Sequence, residues 1–188
     1  KGPGAALRRR FQQGYGLPSL LAVHQDNPSQ TARSMAMAWA AGIGSDRAAV
    51  IETTFQDETE TDHFGEQAVL CGGMTWLFMM AYDVLVAAGY PEELAYIECC
   101  YEIKQVADLV HTSGIAGMLD AISTTAELGA LHAGPQIVDD HLRTTLTGIL
   151  QQIQSGTFAT VIGRDQEAGW PQRNACRAAA AAHPSEEV

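Results

Sequence analysis

The run AVLCGGMTWLFMMAYDVLVAAGY, from Ala68 to Tyr90, contains a single charged residue, Asp83. It is long enough to span a bilayer as a helix. Asp83 within the run, the pair Gly72–Gly73 and acid-rich flanks are unusual for a membrane span. A helix that is apolar on all sides is typical of a buried element. The run therefore predicts a helix buried in a core or at a subunit interface, in preference to a membrane span.

The residues before this run have the pattern of an α/β unit. Leu17–His24 (LPSLLAVH) and Ala48–Thr54 (AAVIETT) predict two strands, and the small-residue stretch Thr31–Ala41 between them predicts a helix. One strand–helix–strand unit cannot bury a parallel sheet by itself, so we expect this part to be the end of a larger sheet. After Phe55 strand patterns nearly vanish. Helices are expected at about 62–70, 74–88, 91–111, 114–128 and 137–154, with a last short helix near Ala178 and an otherwise less regular tail.

The composition restricts the classes of function. The chain has 188 residues, of which 46% are hydrophobic and 18% charged, so a sizeable core can form. Its formal net charge of -11 argues against binding to a nucleic-acid backbone, which needs a basic surface. The four cysteines include no CxxC pair, and Cys99 adjoins Cys100, which fits thiols in a reducing cytosol better than a disulfide framework. A cytoplasmic protein is expected.

Two pairs of acidic residues, Asp62 with Glu66 and Glu98 with Glu102, are each spaced four apart. This spacing puts both members of a pair on one helical face, where apolar residues continue the same stripe. Between positions 48 and 142 the sequence has sixteen Asp or Glu residues and a single Lys or Arg, Lys104. Like charges repel at this spacing, and carboxylates on apolar faces need a counter-charge that this region does not supply.

A hard divalent cation would supply that counter-charge, because carboxylate oxygens and water suit magnesium or manganese. The alternative is that the two pairs lie on solvated helix faces, where acids at this spacing are common. Ser123 has a similar alternative, a hydrogen bond at a helix end, and Lys104 can pair with Asp108 four residues on. The spacing by itself leaves metal binding and solvation open.

The order of the motifs resembles ketol-acid reductoisomerase over essentially the whole chain. The long string ETETDHFGEQAVLCGG is the most specific of them. The matching strings are KGPG (1–4), AVHQD (22–26), IETTF (51–55), ETETDHFGEQAVLCGG (58–73), AYIECCYEIKQVADL (95–109), ISTTAE (122–127) and GTFA (156–159). The resemblance is to the short, dimeric class of the family and to its C-terminal, metal-binding half.

The resemblance implies a mainly α fold. It consists of a remnant of a Rossmann-type α/β sheet at 1–53, belonging to the NADP-binding domain, and an all-α, knotted or intertwined domain at 54–188 that binds metal and dimerises. It implies magnesium- and NADPH-dependent isomeroreduction of acids such as 2-acetolactate, with two Mg²⁺ ions per site. The expected metal ligands are Asp62 and Glu66, joined from the partner subunit by Glu98 and Glu102, of which one binds metal and one lies near the substrate oxygens. Lys1 would be the active-site lysine, Glu102 a further catalytic residue, and Ser123 the group that binds the substrate carboxylate.

Three functions remain open from the sequence. The family's glycine-rich loop and nucleotide-selecting residues precede KGPG, so the chain is expected to bind metal and dimerise but not to reduce substrate by itself. The first alternative is an NADPH-independent, metal-dependent isomerase. The second is a non-catalytic metal-binding or dimerisation module. The substrate is expected to be a small 2-hydroxy-3-oxo acid, with neither nucleic acid nor membrane as a partner.

Overall fold

The computed structural model describes residues 1–188, and the chain is mainly α-helical with one small sheet. The predicted fold class is therefore confirmed. The regular elements are α1 (Gly4–Gln12), β1 (Ser19–Leu21), α2 (Ala32–Gly42), β2 (Val50–Glu52), α3 (Phe55–Gly65), α4 (Gly73–Ala87), α5 (Glu92–Tyr96), α6 (Ile103–Ala121), α7 (Thr124–Ile137), α8 (Asp140–Gln154), α9 (Thr157–Glu167) and α10 (Pro171–Ala181). Two compact units divide the chain, Lys1–His63 and Phe64–Val188.

The N-terminal unit contains the predicted strand–helix–strand arrangement. Strands β1 and β2 pair in parallel, with Leu20 opposite Ile51, and α2 forms the connection between them. Helix α1 was not predicted, because its short sequence GAALRRRFQ has only two large apolar residues, Leu7 and Phe11. Arg9 and Arg10 in its last turn complement the partial negative charge of the helix C-terminus.

The C-terminal unit is organised around α4. This helix packs against α5 and against the segment 97–101, while α8 and α10 pack against α9. Tyr82 of α4 and Ala95 of α5 are almost completely buried, at 1% and 0% exposure. The small side chain of Ala95 lets the two helices approach closely at this point.

Each predicted acid pair adjoins a π turn, in which one residue more than in an α-helix separates donor and acceptor. The first π turn, Glu66–Leu70, follows α3, and the second, Ile97–Tyr101, follows α5. The N–H of Cys71 donates to the carbonyl of Glu66 at 2.8 Å, and the N–H of Glu102 to that of Ile97 at 3.1 Å. The predicted unbroken helices over 62–70 and 91–111 were wrong at these points, since apolar spacing does not reveal one inserted residue.

Several other predicted boundaries differ from the structure. Helix α3 begins at Phe55, well before the predicted start at 62, because its polar first turns have no apolar stripe. The predicted helix 114–128 is wrong: α6 continues to Ala121 through Gly114, whose φ of 71° breaks its regular geometry. Helix α7 then includes Pro135 in its last turns. The tail is also more regular than predicted, because α9 begins directly after Gly156, at φ 74°.

The apolar run Ala68–Tyr90 is not buried within this chain. Trp76, Met80 and Val84 of α4, spaced four apart, are 67%, 64% and 63% exposed. The helical segment Phe55–Ala87 is long and apolar enough to cross a membrane by length and composition alone, which is weak evidence of a span. Burial in the core of one chain is thus excluded for most of the run, and the subunit-interface alternative stays a prediction.

Candidate metal centre

Lys1 binds two carboxylates of α3. Its Nζ lies 3.0 Å from Oε1 of Glu58 and forms a second hydrogen bond and ion pair with Oδ1 of Asp62. Glu58 and Asp62 are four residues apart, so one helical face presents both carboxylates to the same ammonium group. The hydrogen bond to Asp62, helped by Glu58 and opposed by partial desolvation, raises the pKa of Lys1 above its ordinary value. Lys1 is therefore a stable cation beside Asp62.

The surroundings of Lys1 form a cavity of about 300 Å³. Ala22 and Thr53, the first residues after β1 and β2, line it together with Phe55 and Glu58. Ser19 and Leu20 of β1 line it as well, so the cavity runs along β1 to the carboxyl ends of the two parallel strands, where open α/β sheets bind their ligands. An ammonium group, two carboxylates and an adjacent apolar wall are the components of a site for a small anionic or metal-chelating ligand.

Glu58 is a residue that the sequence reasoning missed. It precedes Asp62 by one helical turn, as Asp62 precedes Glu66, so the three acids continue one spacing along the chain. The spacing was visible in the string ETETD. The apolar residues that mark this face begin only at Leu70, so the sequence alone does not set Glu58 apart from other surface acids. The structure brings Glu58 and Asp62 together on Lys1.

The other predicted ligands lie in the C-terminal unit and are exposed. Glu66 opens the first π turn, Glu98 lies within the second, and Glu102 directly follows the second. Glu98 and Glu102 line an open, mainly apolar groove of about 770 Å³, whose other walls are Val69, Leu70, Ile103, Val106, Ala107, Val110 and His111. In the single chain both carboxylates are therefore open to water, as the solvated-face alternative expects, while the apolar surface beside them is left exposed.

The single chain does not assemble the whole predicted ligand set. No group of three or more His, Cys, Asp or Glu side chains is close enough together to hold a metal ion. The donor chemistry nevertheless fits magnesium, because oxygens of Glu58 and Asp62 converge on one positive charge, that of Lys1. A nicotinamide nucleotide has no such local support, since no glycine-rich phosphate turn follows β1.

Ser123 is the N-cap residue of α7. Its hydroxyl oxygen accepts a hydrogen bond from the N–H of Ala126 at 3.2 Å, and the residue is exposed. The helix-end role that the sequence left open is therefore present. The hydroxyl hydrogen stays available to a ligand, because the cap uses only an acceptor lone pair. Lys104 pairs with Asp108, as its spacing predicted.

Comparisons with known proteins identify the family. Residues 55–188 match the model of the ketol-acid reductoisomerase C-terminal domain, and residues 1–49 match that of the acetohydroxy acid isomeroreductase NADPH-binding domain. The chain belongs to the ketol-acid reductoisomerase family. A solved structure of an NADH-preferring ketol-acid reductoisomerase from an uncultured archean is 40% identical, with a TM-score of 0.96. The match covers 100% of this chain and 56% of that one, so this chain spans a little over half of that ketol-acid reductoisomerase.

The family assignment confirms the resemblance that the motifs predicted. The two family models meet between residues 49 and 55, where β2 ends and α3 begins. The predicted domain division at 53/54 and the unit boundary at 63/64 lie on either side of the start of α3. Helix α3 therefore extends from the end of the sheet to the acids of the candidate metal centre.

Proposed function

We propose that the chain is the metal-binding part of an enzyme that isomerises and reduces 2-hydroxy-2-alkyl-3-oxo acids such as 2-acetolactate. The alkyl group migrates to the neighbouring carbon, and hydride from a nicotinamide nucleotide then gives the 2,3-dihydroxy acid needed for valine and isoleucine. The observation that carries this proposal is the contact of Lys1 with Asp62 and Glu58 at the carboxyl end of the strands, in a chain of this family. An oxidoreductase of the cytoplasm follows from the same assignment.

The proposed ligands are Asp62 and Glu66, with Glu98 and Glu102 from the partner subunit. Bound Mg²⁺, two ions per site, would supply Lewis-acid polarisation of the substrate oxygens. Carboxylate oxygens suit this ion, and α3 already directs the Asp62 carboxylate towards a cation. Glu102 is placed by the proposal near the substrate oxygens, where a carboxylate can accept or return a proton.

Lys1 and Ser123 have separate proposed roles. The raised pKa of Lys1 keeps its ammonium group charged at neutral pH, so it can donate hydrogen bonds to substrate oxygens and offset the negative charge of Asp62. The hydroxyl of Ser123 can donate to the substrate carboxylate while its oxygen still caps α7. Lys1 and Glu102 are thus the proposed catalytic residues, and Ser123 binds substrate.

The proposed assembly is a homodimer or higher oligomer with active sites shared between subunits. It is supported by the exposed apolar stripe of Trp76, Met80 and Val84, because a contiguous apolar surface of this kind marks an interaction site. Leu94 and Tyr101, beside the second acid pair, are also exposed, at 51% and 61%. If a second copy of the chain covered these residues, the acid pairs at the interface would be shielded from water. The knotted path expected for the helical domain belongs to the same proposal.

The nucleotide is proposed to be NADPH. The family model that matches residues 1–49 carries NADPH in its description, whereas the similar archaeal structure is described as NADH-preferring. Initial rates measured with either nucleotide, on a protein that includes the nucleotide-binding domain, decide between them. A lower KM for NADH would overturn this part of the proposal and leave the metal centre unaffected.

Metal binding tests the core of the proposal. Titration of the chain with Mn²⁺, followed by electron paramagnetic resonance of the free ion, is expected to give saturable binding that Mg²⁺ competes away. Asp62→Asn and Glu98→Gln should each weaken binding by about tenfold or more, because each removes a charged ligand. Asp57→Asn, in α3 but outside the proposed site, is the matched control and should leave Mn²⁺ binding unchanged. Equal binding by all four proteins would contradict the assigned ligands and favour a non-catalytic module.

A further inference from the structure

The first π turn is closed by two hydrogen bonds on one acceptor. The carbonyl of Glu66 accepts from the N–H of Cys71 at 2.8 Å and from that of Gly72 at 3.0 Å. Gly72 lies just before α4, with φ -85° and ψ -74°, and its own carbonyl accepts from Trp76 at 3.1 Å. The backbone of a proposed metal ligand is therefore bonded directly to the residue that begins α4.

Two glycines make this closure sterically possible. A Cβ atom on Gly72 would lie 2.0 Å from the carbonyl oxygen of Gln67, and one on Gly73 would lie 2.1 Å from that of Ala68. Both obstacles are backbone atoms of the π turn, so they cannot move aside as a flexible side chain would. By contrast, a Cβ on Gly148, within α8, would meet no atom within 4 Å apart from the backbone of its own helix. Gly72 and Gly73 are thus required by the turn itself.

Opening the π turn would change the orientation of α4. A π turn contains one residue more than an α turn, and each residue of an α-helix adds about 100° of rotation and about 1.5 Å of rise. Conversion to an α turn would therefore rotate α4 by about 100° relative to Glu66. Helix α4 packs against the second π turn, which carries Glu98, and it presents the exposed stripe of Trp76. The first π turn therefore sets the position of Glu66 relative to the second π turn and to the exposed stripe of α4.

We propose that Gly72 and Gly73 are positioning residues for the metal centre. By admitting the carbonyl groups of Gln67 and Ala68 at close range, they hold the first π turn closed and fix Glu66 relative to α4. This inference rests on the proposed function, because it assumes that Glu66 is a metal ligand. It adds the pair Gly72–Gly73 to the residues on which metal affinity depends, although neither contains a ligand atom.

The test compares three glycine-to-alanine variants of the chain. Gly72→Ala and Gly73→Ala are expected to weaken Mn²⁺ binding by about tenfold or more, as loss of a ligand-orienting contact does. The Mn²⁺ resonance spectrum of any remaining bound ion should also change, which reports its coordination. Gly148→Ala, also in a helix but in open space, should bind Mn²⁺ as the wild type does. Far-ultraviolet circular dichroism checks that all three keep the wild-type helix content.

The outcomes separate this inference from the proposed function. Wild-type affinity and spectrum in a well-folded Gly72→Ala or Gly73→Ala would overturn the inference while the metal centre stands. Loss of helix content in both variants would overturn it as well, because the glycines would then serve folding at large. If the wild-type chain itself binds no Mn²⁺, the proposed function fails and the inference with it.

Discussion

Asp165 is predicted to hold α10 in place. The side chain is only 8% exposed, and its two oxygens accept the N–H groups of Gln172 at 2.9 Å and Arg173 at 3.1 Å. These N–H groups belong to the first turn of α10, where a helix provides no partner for them. Asp165→Ala leaves both donors unpaired close to a buried position.

The cost follows from the two hydrogen bonds. Losing a capping side chain costs about 0.5–2 kcal/mol, and a hydrogen bond to a charged group is worth about 1.5–3 kcal/mol. Allowing for partial replacement by water, Asp165→Ala should lower the free energy of unfolding by about 2–4 kcal/mol. Asp165→Asn keeps one acceptor oxygen and should lose about half of that.

Urea denaturation followed by circular dichroism measures the loss, and hydrogen exchange of the α10 amides locates it. Glu167→Ala, an exposed residue of the same helix α9, is the control and should change stability by less than about 0.5 kcal/mol. If Asp165→Ala unfolds with the wild-type midpoint and α10 exchanges at the wild-type rate, the capping argument is refuted.

Two further predictions concern Tyr82 and Lys1. The hydroxyl of Tyr82 is buried without a hydrogen-bond partner, so Tyr82→Phe should leave Tm unchanged or raise it in a thermal scan. Tyr82→Ala should lower Tm by roughly 6 °C or more, because it opens a cavity. A Tm of Tyr82→Phe clearly below that of the wild type would contradict this. The carboxylates of Asp62 and Glu58 raise the pKa of Lys1 in the folded state. The ion pair of Lys1 with these carboxylates therefore stabilises the fold fully below the unfolded-state pKa of 10.5, and this stabilisation is lost as pH rises through the folded-state pKa. The half-exposed pair is worth less than about 1 kcal/mol. In urea denaturation, Lys1→Met and wild type should therefore differ slightly in stability at pH 8, and the difference should vanish as pH rises through the folded-state pKa of Lys1. A difference in stability that grows with pH would show the opposite sign.

The sequence predicted the parts of the fold that apolar periodicity encodes. Strands β1 and β2 lie within the predicted runs 17–24 and 48–54, because a short apolar run and a β-branched run both indicate strands. The first turns of α3 were not predicted, since a polar helix without an apolar stripe leaves no such signal. Helix α1 was missed because it is short and has only two large apolar residues. The two π turns were missed for a related reason: a single inserted residue shifts the helical phase without changing the composition.

The candidate site was predictable in its residue types but not in its local contacts. The four-residue spacing pointed to Asp62, and the structure adds Glu58 and the position of Lys1, which reaches α3 from the other end of the N-terminal unit. That contact joins residues far apart in sequence, so no local pattern could reveal it. Exposure of the apolar stripe of α4 was equally invisible, because hydropathy does not distinguish the core of one chain from the surface between two.

The most direct test of the shared metal centre is complementation between two variants. Asp62→Asn and Glu98→Gln chains, each deficient in Mn²⁺ binding alone, are co-expressed with different affinity tags, and the mixed dimer is isolated. If each site combines Asp62 of one subunit with Glu98 of the other, the mixed dimer contains one intact site, and about half of the wild-type Mn²⁺ stoichiometry should return. If the mixed dimer binds no more Mn²⁺ than either variant alone, the sites are not shared, and the account of the metal centre is wrong.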